Sequence, residues 1–296
     1  MSKILTKAAA LSFVWICSAV PTNAQSASSA PGDFEFYGHL NFGVFSVDDG
    51  FNQYTAFGDG SPSPSRFGFN YSTAIGADTL RFNFETALGF SSSSSYSQGN
   101  TGFTWDFDKG DLRKIEFIYE TQSAGVFSIG QGSMATDGAA GSDLSGTTLV
   151  NEVAVADFAG GYFFGGATGP TDVSGVFTDY DGSRRTRLRY DTPSFGGFTV
   201  AAAWGKNALS DSDDADYYDI ATFYEGDLSG AKLVAGLGYS WKDDPSNPVT
   251  KELLVGSASV LLPSGFNATL AAGSEQSGSG SYFYGKLGYR TDLWTK

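Results

Sequence analysis

The sequence predicts an all-β chain, a transmembrane up-and-down antiparallel β-barrel, and three observations carry that expectation. Apolar and polar residues alternate with period two through twelve segments. The connections between those segments are short and long in strict alternation. The polar side of the alternation bears full charges, which suit a water-filled interior better than a packed core.

Residues 1–24 read as a secretory leader, with Lys3 and Lys7 ahead of an apolar run at 8–20 and a small-residue cleavage site at Thr22-Asn23-Ala24. Cys17 lies inside the leader behind Ile16, so no lipidated cysteine is expected and the mature chain lacks cysteine. Residues 25–296 read as one barrel. In 34–42, Phe34, Phe36, Leu40 and Phe42 share a face opposite Glu35, Tyr37, His39 and Asn41. In 66–71, Phe67, Phe69 and Tyr71 oppose Arg66 and Asn70. In 80–90, Leu80, Phe82, Phe84, Leu88 and Phe90 oppose Arg81, Asn83 and Glu85. In 114–122, Ile115, Phe117 and Tyr119 oppose Lys114, Glu116 and Glu120. The remaining strands are expected at 126–132, 184–190, 198–205, 217–225, 232–241, 252–262, 266–274 and 282–290. Short turns fall at 73–78, 122–125, 192–197, 226–231 and 262–265; long loops fall at 47–65, 91–111, 133–183, 206–216, 242–251 and 275–281. Outer-membrane barrels place tight turns on one side and long loops on the other. Tyr37, Tyr71, Tyr119, Tyr190, Tyr239 and Trp241, near strand ends, are expected to form an interfacial girdle.

Composition narrows the function. The chain has 18 Lys+Arg against 32 Asp+Glu, net −14, which excludes a nucleic-acid partner needing a basic face. One cysteine and one histidine exclude tetrahedral Cys/His zinc sites and an internal disulfide. No cofactor or metal is expected: Gly130-Gln131-Gly132 is too short for a nucleotide loop, and Asp211–Asp216 lacks the spacing of a calcium loop. No mature stretch is apolar enough for a transmembrane helix. The segment 133–182 holds seven acids and no Lys or Arg, yet carries apolar residues such as Leu149, Val153 and Phe158, so it is expected to fold onto something. Immediately after it, Arg185, Arg187 and Arg189 share one face by alternation. An acidic loop opposite an arginine-lined wall would set a transverse field across a narrow aperture.

Several stretches resemble the general diffusion porins of the Gram-negative outer membrane, of the alphaproteobacterial kind. They are FEFYGHLNFGVF at 34–45, SRFGF at 65–69 with 80–90 behind it, DGSRRTRLRYDTPSFGGFTVAAAWG at 181–205, the loop 137–164, and YFYGKLGYRTDLW at 282–294. The resemblance implies a homotrimer of water-filled barrels of roughly sixteen strands, with the third loop folded inward. It implies no enzyme but passive permeation of ions and small hydrophilic solutes, with outer-membrane lipid and further copies of the chain as partners. Carried over by motif, Arg66, Arg81, Arg185, Arg187 and Arg189 line the basic wall, and Asp137, Asp143, Glu152 and Asp157 line the acidic loop; alternation adds Lys114 to the basic set. Family members end on a strand with a terminal aromatic, whereas this sequence ends Leu293-Trp294-Thr295-Lys296 after twelve strands. The expectation is a chain cut short at its C-terminus, with a true twelve-stranded barrel as the alternative. The competing functions are an outer-membrane barrel enzyme, for which His39 is the one imidazole, and a secreted β-sandwich adhesin. The charged strand faces and the turn asymmetry argue against the sandwich.

Overall fold

The structure, a computed structural model, describes residues 32–291. The expected leader at 1–24 and the end at 293–296 lie outside them. The strands are β1 (Asp33–His39), β2 (Phe42–Asp48), β3 (Gln53–Asp59), β4 (Arg66–Ile75), β5 (Asp78–Ala87), β6 (Leu112–Glu120), β7 (Val126–Ser133), β8 (Arg184–Asp191), β9 (Phe198–Lys206), β10 (Asp216–Leu228), β11 (Ala231–Asp243), β12 (Lys251–Leu261), β13 (Phe266–Glu275) and β14 (Ser281–Tyr289). Twelve of them form one antiparallel meander in the order β1-β4-β5 and onward to β14. These twelve are the segments the alternation picks out, and β1 and β14 are the edges of the sheet among the described residues. No helix among those residues is long and apolar enough to cross a membrane. The crossing elements are strands, and β4 to β14 run 8 to 13 residues each, against about 9–11 for a tilted transmembrane strand.

The sheet is inside out relative to a soluble protein. Phe36, Phe283 and Leu287 are 68%, 76% and 87% exposed, while Glu116, Asn83 and Asp219 are 4%, 5% and 3% exposed. Apolar side chains point outward, and charged and amide side chains point into the concave side. Only a sheet whose outer solvent is hydrocarbon makes that arrangement favourable. Aromatics collect at both ends of the outer face. At the turn end, Phe34 packs on Tyr71, Phe127 on Tyr190, Phe198 on Tyr224 and Phe266 on Tyr289. At the loop end, Tyr218 stacks on Trp241, with Tyr239 beside it. Tyr37 is a correction to the expected girdle: it faces inward and its hydroxyl accepts from Asn83 Nδ2 at 3.1 Å.

The segment 34–42 is a second correction, because it is not one strand. Asn41 breaks it: its backbone N–H donates to Ser65 Oγ at 2.8 Å, and its side chain donates to the carbonyls of Gly60 and Ser63. The chain then turns away and forms the β2–β3 hairpin, where a loop was expected at 47–65. The Asp49-Gly50 pair at its tip, with Gly50 at φ 87°, is the turn signal that marks it. β1 therefore pairs with β4, Phe36 opposite Phe69, and skips the hairpin.

Candidate functional site

The inner surface has two unlike halves. On β4, β5, β6 and β8 many inward positions are long and charged: Arg66, Arg81, Glu85, Lys114, Glu116, Arg185, Arg187 and Arg189. On β9–β13 many are small: Ala201, Ala221, Gly236, Gly238, Ser257, Ser259 and Ala271, interspersed with Asp219 and Phe223. The loop between β7 and β8 lies on the small half. A Cβ at Gly238 would stand 2.7 Å from Thr136 Cγ2, and one at Gly236 would stand 3.0 Å from Ala139 Cα. The absent side chains thus form the loop's seat. Asp219 on β10 accepts from the amides of Ala135 and Thr136 at 3.1 and 2.8 Å and from the Thr136 hydroxyl at 2.7 Å. Ser257 and Ser259 on β12 accept from the amides of Ser142 and Leu144, both at 2.9 Å. Lys286 on β14 reaches Asp143 at 2.9 Å and the Asn151 carbonyl at 2.7 Å.

Past Asn151 the loop crosses to the β2–β3 hairpin. Ser93 Oγ donates to the Asp157 carbonyl, and Ser61 Oγ donates to the Asp157 carboxylate at 3.4 Å. Tyr162 packs into a cluster with Phe45, Ala56 and Tyr96, and Tyr96 donates to the Phe57 carbonyl at 2.7 Å. The segment between β7 and β8 is thus held at three places: at its root by Asp219, in its middle by Ser257, Ser259 and Lys286, and at its far end by Ser93 and the cluster of Phe45, Ala56 and Tyr96.

The expected acids divide by role. Asp143 is buried against Lys286, with side-chain exposures of 5% and 6%, so it anchors the loop. Burial would push its carboxyl up, but hydrogen bonds from Lys286 and Ser145 outweigh that and hold it below the usual range. Glu152 and Asp157 come together, joined by Asp179, which sequence reasoning missed. Burial first, then the negative charges of Asp157 and Asp179, push Glu152 up to about 8. Burial likewise raises Asp157 and Asp179. Asp181, also missed, is pushed by burial up to about 7, although it accepts from the amides of Gly138 and Ala140 at 2.8 Å each. Asp137 stands within the electrostatic reach of Arg184.

The expected basic wall divides as well. Arg185, Arg187 and Arg189 do share a face, but they do not form an open ladder. Arg187, 5% exposed, pairs with Glu116 and donates to the carbonyls of Ser133 and Gly130 at 3.0 and 3.2 Å. Arg189 pairs with Asp191 at 2.7 Å and donates to the Met134 carbonyl, also at 2.7 Å. Both hold the loop's root, because the chain leaving β7 runs back across them. Arg185 turns toward the mouth, its guanidinium 4.2 Å from the centre of the Tyr217 ring. Arg81 lies at the turn end, paired with Glu120, far along the strand from the loop. Arg66 is at the loop end, 3.8 Å from Glu85, and Lys114 sits opposite Glu85 in the register.

Two arginines here were not expected. The β5–β6 register shifts between Glu85 and Thr86. That bulge re-aims Arg113, which simple alternation would point at lipid, so that its Nε reaches Glu85 at 2.6 Å. Arg184, the first residue of β8, also breaks the alternation and lies within the fields of Arg66 and Arg113. His39 Nε2 lies 3.3 Å from Ser63 Oγ. That hydroxyl also accepts from Arg66 Nη2 at 2.9 Å, and the neighbouring Asp59 is engaged by the Ser65 amide and hydroxyl. The imidazole is thereby part of the packing at the loop-end rim.

A family model described as Gram-negative porin matches residues 8–295. Among curated proteins, no match is found. Among solved structures, the chain is similar to OprB of Pseudomonas putida, with a TM-score of 0.51 and 10% identity over 87% of this chain and 70% of that one. It is also similar to OmpT of Vibrio cholerae (TM-score 0.44, 15% identity, 92% and 86% covered). A third is OmpF of Salmonella typhi in complex with daunomycin (TM-score 0.43, 13% identity, 88% and 87% covered).

Proposed function

The chain belongs to the Gram-negative porin family, and from that premise we propose that it forms a passive diffusion channel for ions and small hydrophilic solutes across the outer membrane. The observation that carries the reading is the inverted sheet, apolar outside and charged inside, with an anchored acidic loop laid across its concave side. In this reading, Glu152, Asp157 and Asp179 of the loop form the acidic side of the aperture, and Arg66, Arg113, Lys114 and Arg184 form the basic side. The separation of opposite charges gives a transverse field that orients dipolar solutes and ranks ions. Residues 1–24 serve as the export leader, residues 133–182 as the constriction loop, and the working unit is a homotrimer.

Planar-bilayer recording tests this. Purified chain should give stepwise currents that need no nucleotide and scale with salt concentration. Correctly folded protein that carries no current would refute the channel reading. Cross-linking in detergent separately tests the trimer.

A further inference from the structure

A cavity of about 210 Å³ lies behind the root of the loop, between residues 134–136 and 181–183 on one side and β10–β12 on the other. Asp181, Ser183, Arg185, Tyr217, Ser240 and Lys251 are among its lining. Most of its charges are engaged. Asp219 accepts from the Ala135 and Thr136 amides and the Thr136 hydroxyl, and the Arg189 charge acts on it. Lys242 lies 3.5 Å from Asp213 and 3.4 Å from Asp244. Arg185 donates to the Arg184 carbonyl and lies over the Tyr217 ring, with its Nε left without a partner. Two charges have no opposite charge in contact. Asp181 accepts from the Gly138 and Ala140 amides but forms no ion pair among the described residues. Arg184 lies within its field, and Asp137 and Asp179 add negative charge around it. Lys251 makes no ion pair or hydrogen bond through its side chain among the described residues, and the register sets it directly opposite Lys242. The hydroxyls of Ser183 and Ser240 are likewise without a partner among those residues.

The loop thus brings an acid to this cavity and the wall brings a base, and no ion pair joins them. A carboxylate keeps acceptor capacity beyond the two amides that Asp181 serves. Like charges directly opposite on a sheet, such as Lys242 and Lys251, are relieved by a negative group beside them. A ligand with one charge answers one end of the cavity, whereas a ligand with both answers the two together through charge-assisted hydrogen bonds. The volume is below the roughly 300 Å³ at which sites for drug-sized ligands begin, so the ligand is small. We propose that this cavity binds a small zwitterion of the α-amino-acid type, with its ammonium group on Asp181 and its carboxylate on Lys251. The Ser183 and Ser240 hydroxyls supply further donors and acceptors in the same lining. A ligand held this way ties the root of the loop to β12. The proposal goes beyond the channel reading and does not rest on it.

The test is hydrogen–deuterium exchange of the full chain, folded in detergent near pH 8, where Asp181, pushed by burial up to about 7, is ionised. The readout is exchange at residues 134–141 and 181–183, which include the Gly138 and Ala140 amides that Asp181 holds. Glycine is the probe, with acetate and ethylamine as the carboxylate and the ammonium alone. Glycine in the millimolar range should slow exchange there, about elevenfold at ten times its dissociation constant, and neither single-charge compound should match it. Lys251→Gln leaves the loop's own hydrogen bonds in place and should require roughly tenfold more glycine for the same slowing, the loss of one hydrogen bond to a charged group. Asp181→Asn should weaken the glycine response in the same way, read against that variant's own baseline. Lys232→Gln, which removes an exposed cation at the turn end, should leave the response unchanged. No slowing by glycine, slowing by acetate or ethylamine equal to that by glycine, or a response that Lys251→Gln leaves intact would each overturn the site. Because the readout is exchange and not current, these results stand apart from whether the protein conducts.

Discussion

Replacing Lys286 with methionine should loosen the middle of the loop between β7 and β8. Lys286 Nζ donates to Asp143 at 2.9 Å and to the Asn151 carbonyl at 2.7 Å, and the pair is almost fully buried. Methionine keeps the volume and removes the charge, so the Asp143 carboxylate is stranded. Breaking a buried pair from one side costs about 3–5 kcal/mol. At 1.4 kcal/mol per decade, local opening of residues 142–152 should become roughly two to four orders of magnitude more frequent. Asp143 has an escape: without Lys286 its burial pushes its carboxyl up, so lowering the pH should recover part of the loss in the variant. The wild type runs the other way. Its depressed carboxyl stabilises above the ordinary value of 3.8, and that contribution is lost as pH falls through the folded value. The double variant Asp143→Asn, Lys286→Met removes the stranded charge and should recover most of the protection. Hydrogen–deuterium exchange on 142–152, read beside open-channel noise, measures this. Unchanged exchange there in the single variant would refute the view that this pair anchors the loop.

Three other outcomes follow from the same geometry. Glu152, near 8, and Asp181, near 7, should ionise between pH 6 and pH 9. Their contribution to loop packing is complete below the unfolded values and is lost as pH rises through the folded ones. Reversal potentials in a salt gradient should therefore shift toward cations over that window while channel noise grows, and Glu152→Gln should remove the upper part of the shift. Arg187→Gln leaves Glu116, 4% exposed, without its partner. It should cost about 3–5 kcal/mol, seen as a lower unfolding temperature of the purified channel. Leu237→Arg, at a position 58% exposed on the outer face of β11, should cost about 2–4 kcal/mol if it lies at the bilayer midplane and should cut the heat-modifiable folded fraction on gels.

The strands were legible because period two survives on both faces, and the twelve segments of the meander follow from it. The β2–β3 hairpin was not, because FGVFSVD and QYTAFGD alternate weakly and the break at Asn41 depends on hydrogen bonds to residues 60–65. Alternation placed Arg185, Arg187 and Arg189 on one face correctly. It could not say that the loop's root would cover two of them, since that contact joins β8 to carbonyls at 133 and 134. Arg113 was hidden for a different reason: a one-residue bulge reverses the parity on which its assignment depended. One signal was present and unread. Ala, Gly and Ser recur at inward positions of β9–β13, where Arg, Lys and Glu recur on β4, β5, β6 and β8, and that contrast marks where the loop sits.

Gly236 and Gly238 work behind the loop like a shim behind a hinge. Their bare backbone decides how far the loop stands off the wall, and so how wide the opening is on its other side. A methyl group added there must move Thr136 or Ala139. Gly238→Val should accordingly push the loop into the lumen and lower the unit conductance, with the overpacking itself costing about 1–3 kcal/mol. The bore can thus change by substitutions that no solute ever touches, while the charges that face the solute stay as they are. In the proposed channel, width and charge preference would be set on opposite sides of one loop, so that a lineage could tune either without disturbing the other.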